Sequence, residues 1–169
     1  MNIDYVVDRF ADDIYRAALS CTGNVCEAED VTSEVLIKYF TKQQELSFSD
    51  DEHLKAWLLR TAINLSKDLI RSAGRRLRSD DNSASLSKDF SAPDMQIDVQ
   101  NAMNGLDEKY KTVLYLFYFQ GYKAEEIAHI LGTKKGTVTS RLKRAREKLK
   151  LSLSDYDSQK ADKEKEMSV

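Results

Sequence analysis

The chain has 169 residues, 41% of them hydrophobic, and 26 basic against 28 acidic side chains give a formal net charge of -2. That length allows one domain or two small ones, and no apolar run approaches the roughly 20 residues of a membrane span. The N-terminus MNIDYVVDRF has neither the basic nor the hydrophobic region of a secretory signal, so no membrane insertion and a cytoplasmic location are expected.

In chain order, helical periodicity dominates, and no alternating apolar run is long enough to nominate a sheet. The first predicted helix runs from about Asp4 to Leu19 and ends before the Cys21-Thr22-Gly23 turn. The second starts at Asn24, with Glu27 at the capping-box position, and continues to about Lys42. Cys21 and Cys26, spaced C-x4-C with no nearby histidine, make a poor metal site and are expected as buried reduced thiols. A third helix is predicted from Ser49, with Glu52 as capping-box partner, through Trp57 to about Ala73, where Gly74 breaks it ahead of Arg75, Arg76 and Arg78. Trp57, the sole tryptophan, reads as core.

From Ser79 to about Asp94 the sequence SDDNSASLSKDFSAPD is rich in serine and aspartate and holds the only proline, the composition of a flexible linker. A second helical unit follows, with Gln96 to Asn104 and then an apolar helix that Asp107 caps and that runs to Gly121. A short helix is predicted over Tyr122 to Leu131, and Gly132 is placed where a helix C-terminus needs φ > 0. The next helix places Val138, Leu142, Ala145 and Leu149 on one stripe, facing Ile127 and Leu131. The tail after Tyr156 has too few apolar residues to bury and is expected to be disordered. The fold class is therefore all-α: two small helical domains joined by a flexible linker, the second a helix-turn-helix domain. The expected boundaries are 1–78, a linker over 79–95, 96–153, and a tail over 154–169.

Charge is segregated along this architecture. Between Lys134 and Lys150 eight cations face the single anion Glu147. A face built for solubility would mix signs, so nucleic acid is the expected partner. Thr139, Ser140, Lys143 and Arg144 lie opposite the apolar stripe, with Arg141 and Arg146 on its flanks, an arrangement suited to the major groove. A second basic block holds Arg60, Lys67, Arg71, Arg75, Arg76 and Arg78, opposed only by Asp68. Asn64, Lys67 and Arg71 recur at i, i+3 and i+7; the amide can pair with an extruded base while the cations hold phosphates. Asp30, Ser33, Glu34 and Ile37 form another ridge, acidic with one apolar residue, on a side distinct from Val31 and Val35 and suited to a basic protein partner.

Three segments together resemble the bacterial extracytoplasmic-function sigma factors, promoter-recognition subunits of RNA polymerase, over about Arg16 to Lys150. AEDVTSEVLIKYF resembles the family's polymerase-binding helix. AWLLRTAINLSKDLIRSAGRR resembles its −10 reading helix, and EEIAHILG with GTVTSRLKRAREKL its −35 helix-turn-helix. The resemblance implies polymerase contacts from Asp30, Ser33, Glu34 and Ile37. It implies −10 contacts from Arg60, Asn64, Lys67, Arg71, Arg75 and Arg76. It implies −35 contacts from Lys135, Thr137, Thr139, Ser140, Arg141, Lys143, Arg144 and Arg146. Three departures stand out: Leu106-Asp107 where the family has Leu-Pro, Lys134 and Thr139 where it has serine and a cation, and a short acidic segment SFSDDEHLKA before Trp57.

The expected function is promoter-specific initiation: a sigma factor that binds core RNA polymerase, reads −35 duplex and captures melted −10 DNA. Its expected partners are core polymerase, promoter DNA and an anti-sigma factor, and it is expected to be a monomer when bound to polymerase. No triad, phosphate loop or metal cluster is evident, so neither catalysis nor a cofactor or metal is expected. The main rival is a stand-alone regulator binding a palindromic operator as a dimer. A recombinase-like enzyme would need an activated serine or tyrosine in the first lobe, and none has a base at a suggestive spacing.

Overall fold

The computed structural model describes residues 3–77 and 97–167, and among these every regular element is helical. The expected linker over 79–95 lies outside the described residues. Helix α1 (Ile3–Thr22) buries Val6, Phe10, Ile14 and Ala17 along one face. It stops where Gly23, at φ 62°, turns its N–H back to the Leu19 carbonyl at 2.9 Å. Helix α2 (Val25–Lys42) starts as predicted, with Asn24 Oδ1 accepting from the Glu27 N–H at 3.1 Å. The return half of the expected box is replaced, because the Asn24 N–H donates to Thr22 Oγ1 at 3.3 Å. Ala28, Val31, Val35 and Tyr39 form the buried stripe of α2.

Helix α3 (Asp51–Leu77) departs from the sequence reading at both ends. Its cap is Asp50, whose Oδ1 accepts from the His53 N–H at 2.8 Å, in place of the expected Ser49 and Glu52 pair. That backbone N–H holds the Asp50 carboxyl below its usual range. At the other end Gly74 does not break the helix, which continues to Leu77. An interior glycine costs only about 1 kcal/mol against alanine, too little to stop a long helix already anchored upstream. Leu54, Leu58, Leu59 and Ile63 lock α3 to α1 and α2 with essentially no exposure, each contributing about 1.5–3 kcal/mol of burial. Trp57 is half-buried against Tyr39 and Phe48, with ring centroids 6.2 and 5.9 Å apart, so it belongs to the margin of the core.

In the second lobe, α4 (Ile97–Asn104) precedes α5 (Glu108–Leu114). Asp107 starts α5 through its carbonyl, which accepts from the Tyr110 and Lys111 N–H groups; its side chain makes no capping bond. The helix then widens into a π-helical turn over Tyr115–Phe119, marked by the Gln120 N–H donating five residues back to the Tyr115 carbonyl at 3.2 Å. The turn stacks the Phe119 ring on Tyr115, with centroids 5.9 Å apart, and brings the Gln120 amide to the Tyr115 hydroxyl. Helix α6 (Ala124–Leu131) begins with the Lys123 N–H on Glu126 Oε2 at 2.7 Å, and lysine has no acceptor to complete a box. It ends at Gly132, φ 61°, where the left-handed conformation was expected. There the Thr133 N–H donates to the Ala128 carbonyl at 2.9 Å.

Helix α7 runs from Lys135 to Met167, through the tail that composition marks as disordered. Lysine, glutamate, glutamine and alanine are good helix formers, and extending an existing helix avoids the cost of nucleation. Of the two cysteines expected to be buried, Cys21 is, but Cys26 is exposed, two positions off the Ala28 stripe of α2.

The two lobes do not stand apart. Helices α1 and α3 pack against α5, its π turn and α6. The Tyr115 hydroxyl donates to the Asp13 carbonyl at 3.2 Å. Gln120 Nε2 donates to Asp13 Oδ1 and to Tyr115 Oη, both at 2.8 Å. Cys21 Sγ lies 3.2 Å from Thr112 Oγ1.

Candidate nucleic-acid interface

The second lobe presents α7 as expected. Val138, Leu142 and Ala145 are buried under α5 and α6, which turns Thr139, Ser140, Lys143 and Arg144 outward, all four exposed. Thr137 is half-buried at the start of the helix. The Thr139 hydroxyl donates to the Lys135 carbonyl at 3.0 Å, so its oxygen lone pairs are what it offers outward. Lys135 Nζ lies 3.6 Å from Glu125 Oε2 across the turn, an exposed pair worth little that a phosphate could displace.

The two flanking arginines are placed differently. Arg146 is committed to its own lobe: its Nε donates to Tyr118 Oη at 2.8 Å, and its guanidinium lies over the Phe117 and Tyr118 rings at 5.2 and 5.6 Å. Phosphate contact from Arg146 would compete with that packing. Arg141 is half-buried and turns toward the first lobe, lining a cleft of about 260 Å³ with Lys67, Arg71, Glu108 and Leu131.

In the first lobe, Arg60, Asn64 and Arg71 are exposed on α3 and Lys67 is half-buried. The Arg71–Asp68 pair is long, at 3.6 Å, and both side chains are 72% exposed, so Arg71 is effectively available. Arg60 reaches across the seam, its Nη2 3.7 Å from where a Cβ on Gly132 would sit. Arg75 and Arg76 lie on the last turn of α3, with side chains outside the described residues. The cation-bearing face of α3 thus borders the helix-turn-helix at Arg60, Lys67 and Arg71, while Asn64 and most of Arg71 stay exposed.

A third surface lies on the first lobe. On α2, Asp30, Ser33, Glu34 and Ile37 are all exposed, and Ile37 is the second most exposed large hydrophobic among the described residues, at 65%. The sequence reading grouped these four on one ridge, and all four are exposed on α2. It missed the seam residues Asp13, Thr112, Tyr115 and Gln120, because none sits in a local pattern. Burial pushes the Cys21 thiol up to about 11, and it raises the Tyr115 and Tyr122 hydroxyls as well. No helix among the described residues is long and apolar enough to cross a membrane.

Comparison with known proteins places both lobes in one family. Residues 6–76 match the sigma-70 region 2 family, and residues 96–149 match sigma-70 region 4. The ECF RNA polymerase sigma factor SigE of Mycolicibacterium smegmatis is 32% identical over 170 residues, a match that covers 94% of this chain but only 64% of SigE. The ECF RNA polymerase sigma factor SigW of Bacillus subtilis is 30% identical over 166 residues, covering 89% of this chain and 88% of SigW. Among solved structures, the sigma factor RpoE in complex with the anti-sigma factor NepR from Bartonella quintana matches with a TM-score of 0.75 at 26% identity, covering 89% of this chain and 96% of RpoE. With region 2 and region 4 in order, and with SigW matched over nearly its whole length, the chain belongs to the extracytoplasmic-function RNA polymerase sigma factors.

Proposed function

We propose that this sigma factor binds core RNA polymerase through the α2 ridge, reads −35 duplex with α7, and traps melted −10 DNA with Asn64 and the cations around it. The observation that carries the reading is the separation of chemistry by surface. The acidic ridge with its exposed Ile37 sits on α2, whereas the cations sit on α3 and α7. An acidic face repels DNA and attracts a basic protein surface, and the cationic faces do the reverse. On α7, Lys143 and Arg144 reach outward beside the hydroxyls of Thr139 and Ser140, a mixture of phosphate-positioning and base-reading groups. On α3, exposed Asn64 offers donor and acceptor together for an unpaired base edge, with Arg60, Lys67 and Arg71 for the strand backbone.

In this reading the protein performs no catalysis and needs no cofactor or metal; strand opening follows from binding unpaired bases more tightly than paired ones. Two modest readers on one chain multiply their affinities when both engage. An anti-sigma partner fits the same scheme, since the matching RpoE structure is a complex with NepR.

The test is run-off transcription with purified core polymerase on genomic fragments, with and without the protein. Discrete new transcripts sharing two upstream elements are expected. No new transcripts, together with a gel shift of duplex DNA by the protein alone, would overturn the reading in favour of an operator-binding regulator. In the same assay Asn64→Ala is expected to weaken open-complex formation more than closed-complex binding, and equal losses in both would remove Asn64 from the base-capturing role.

A further inference from the structure

Gly136, the second residue of α7, has no explanation inside the protein. It is exposed and lies four and seven residues before Ser140 and Lys143, so it shares their outward side. Its φ is not positive, and a Cβ built on it would meet no atom within 4 Å. Neither backbone conformation nor packing therefore requires glycine there, although glycine is among the poorest helix formers. What glycine does provide is a bare stretch of backbone that a bulky ligand can approach closely. Three residues on, at the spacing of surface neighbours, stands Thr139.

Thr139 is exposed, and its hydroxyl has a set polarity. Oγ1 donates to the Lys135 carbonyl at 3.0 Å, so only its lone pairs face outward. The long cations on its flank are drawn aside, Lys135 Nζ to Glu125 Oε2 at 3.6 Å and Arg146 Nε to Tyr118 Oη at 2.8 Å. In the major groove an acceptor is matched by an exocyclic amino group, N6 of adenine or N4 of cytosine, and opposed by the keto oxygens of guanine and thymine. Turning the hydroxyl to donate to a keto oxygen forfeits the bond to Lys135, which sets the discrimination at about three- to tenfold. Threonine in place of the family's cation thus exchanges a donor for an acceptor.

We infer that Thr139 determines specificity in the −35 reader by accepting from the amino group of an adenine or cytosine, which the bare backbone at Gly136 lets come close. The inference rests on α7 reading −35 duplex, as proposed above. It goes further in naming the axis of discrimination. At one base pair the contacted strand is read as amino against keto, not as purine against pyrimidine.

The test is transcription by the holoenzyme, reconstituted from this chain and core polymerase, on barcoded templates randomised over the upstream element. At one position wild type is expected to favour adenine and cytosine over guanine and thymine on one strand, about three- to tenfold. Thr139→Val keeps the shape and loses the acceptor, so it should abolish that bias and leave the bias at other positions unchanged, whereas Thr139→Ser should retain it. Placing the same ring without its exocyclic amino group at this position should lower wild-type transcription by the same factor and leave Thr139→Val indifferent. Gly136→Ala should keep or raise stability to urea, since the methyl has room and alanine favours the helix, yet lower transcription at least about tenfold. No change of bias in Thr139→Val, a bias along another axis, or full activity in Gly136→Ala would overturn the inference and leave the sigma reading standing. Absence of transcripts from every template with wild type would overturn the sigma reading, and this inference with it.

Discussion

Breaking the Asp13–Gln120 contact measures how much the seam contributes to folding. Asp13 Oδ1 accepts from Gln120 Nε2 at 2.8 Å, and Asp13 Oδ2 pairs with Lys55 Nζ at 3.1 Å, with side-chain exposures of 26% for Asp13 and 20% for Lys55. A hydrogen bond to a charged group contributes about 1.5–3 kcal/mol, and partial solvent access places this one near the lower end. The ion pair, partly screened, adds at most about 1 kcal/mol. Asp13→Ala should therefore cost about 2–3 kcal/mol. Gln120→Ala should cost less, about 1 kcal/mol, because it also removes the unpartnered Gln120 Oε1 from a buried position. The Tyr115 hydroxyl donates to the Asp13 backbone carbonyl, which both substitutions leave in place. A double-mutant cycle is thus clean enough to isolate a coupling of about 1–1.5 kcal/mol. The assay is urea unfolding of the four proteins, followed by circular dichroism for both lobes and by fluorescence of Trp57 for the first. Coupling below about 0.3 kcal/mol, or wild-type stability in Asp13→Ala, would refute the reasoning.

Other perturbations act on single elements. Gly132→Ala should cost about 1–2 kcal/mol in unfolding experiments: at φ 61° the added methyl has room, with Arg60 Nη2 at 3.7 Å, so the cost is backbone strain alone, and Gly132→Asn should cost less. Ile37→Asp should leave stability within about 0.5 kcal/mol, since Ile37 is 65% exposed, while weakening association with core polymerase in a pull-down. Lys143→Ala and Arg144→Ala should each weaken −35 duplex binding across sequences and reduce the salt-dependence slope by about 1. The Cys21 thiol, raised by burial from 9.0 to about 11, stabilises the fold as long as it stays protonated. The unfolded chain loses that proton first, so this contribution is whole below pH 9 and is lost as pH rises to about 11. It is on the order of 2–3 kcal/mol, read as the difference in alkaline slope between wild type and Cys21→Ala, because the raised tyrosines titrate in both proteins.

What could be read from sequence, and what could not, divides along one physical line. Apolar periodicity reports the surface a helix must always hide, so the stripes through Val31 and Val35 and through Val138, Leu142 and Ala145 were legible, and with them the outward faces of α2 and α7. The same logic, applied to Cys26, would have placed it outside; the general tendency of cysteine to be buried was the weaker guide. Gly74 misled for a similar reason, because a local propensity of about 1 kcal/mol yields to a helix anchored by buried leucines upstream. The seam is a different case. Its residues, Asp13, Cys21, Thr112, Tyr115 and Gln120, are isolated in the chain, and the partners lie 91 to 107 positions apart. The apolar residues of both lobes join in one core, so no separate stripe remains to signal the polar contacts at its edge. Polar residues such as these are equally at home in water, so by sequence the seam is indistinguishable from a solvated face.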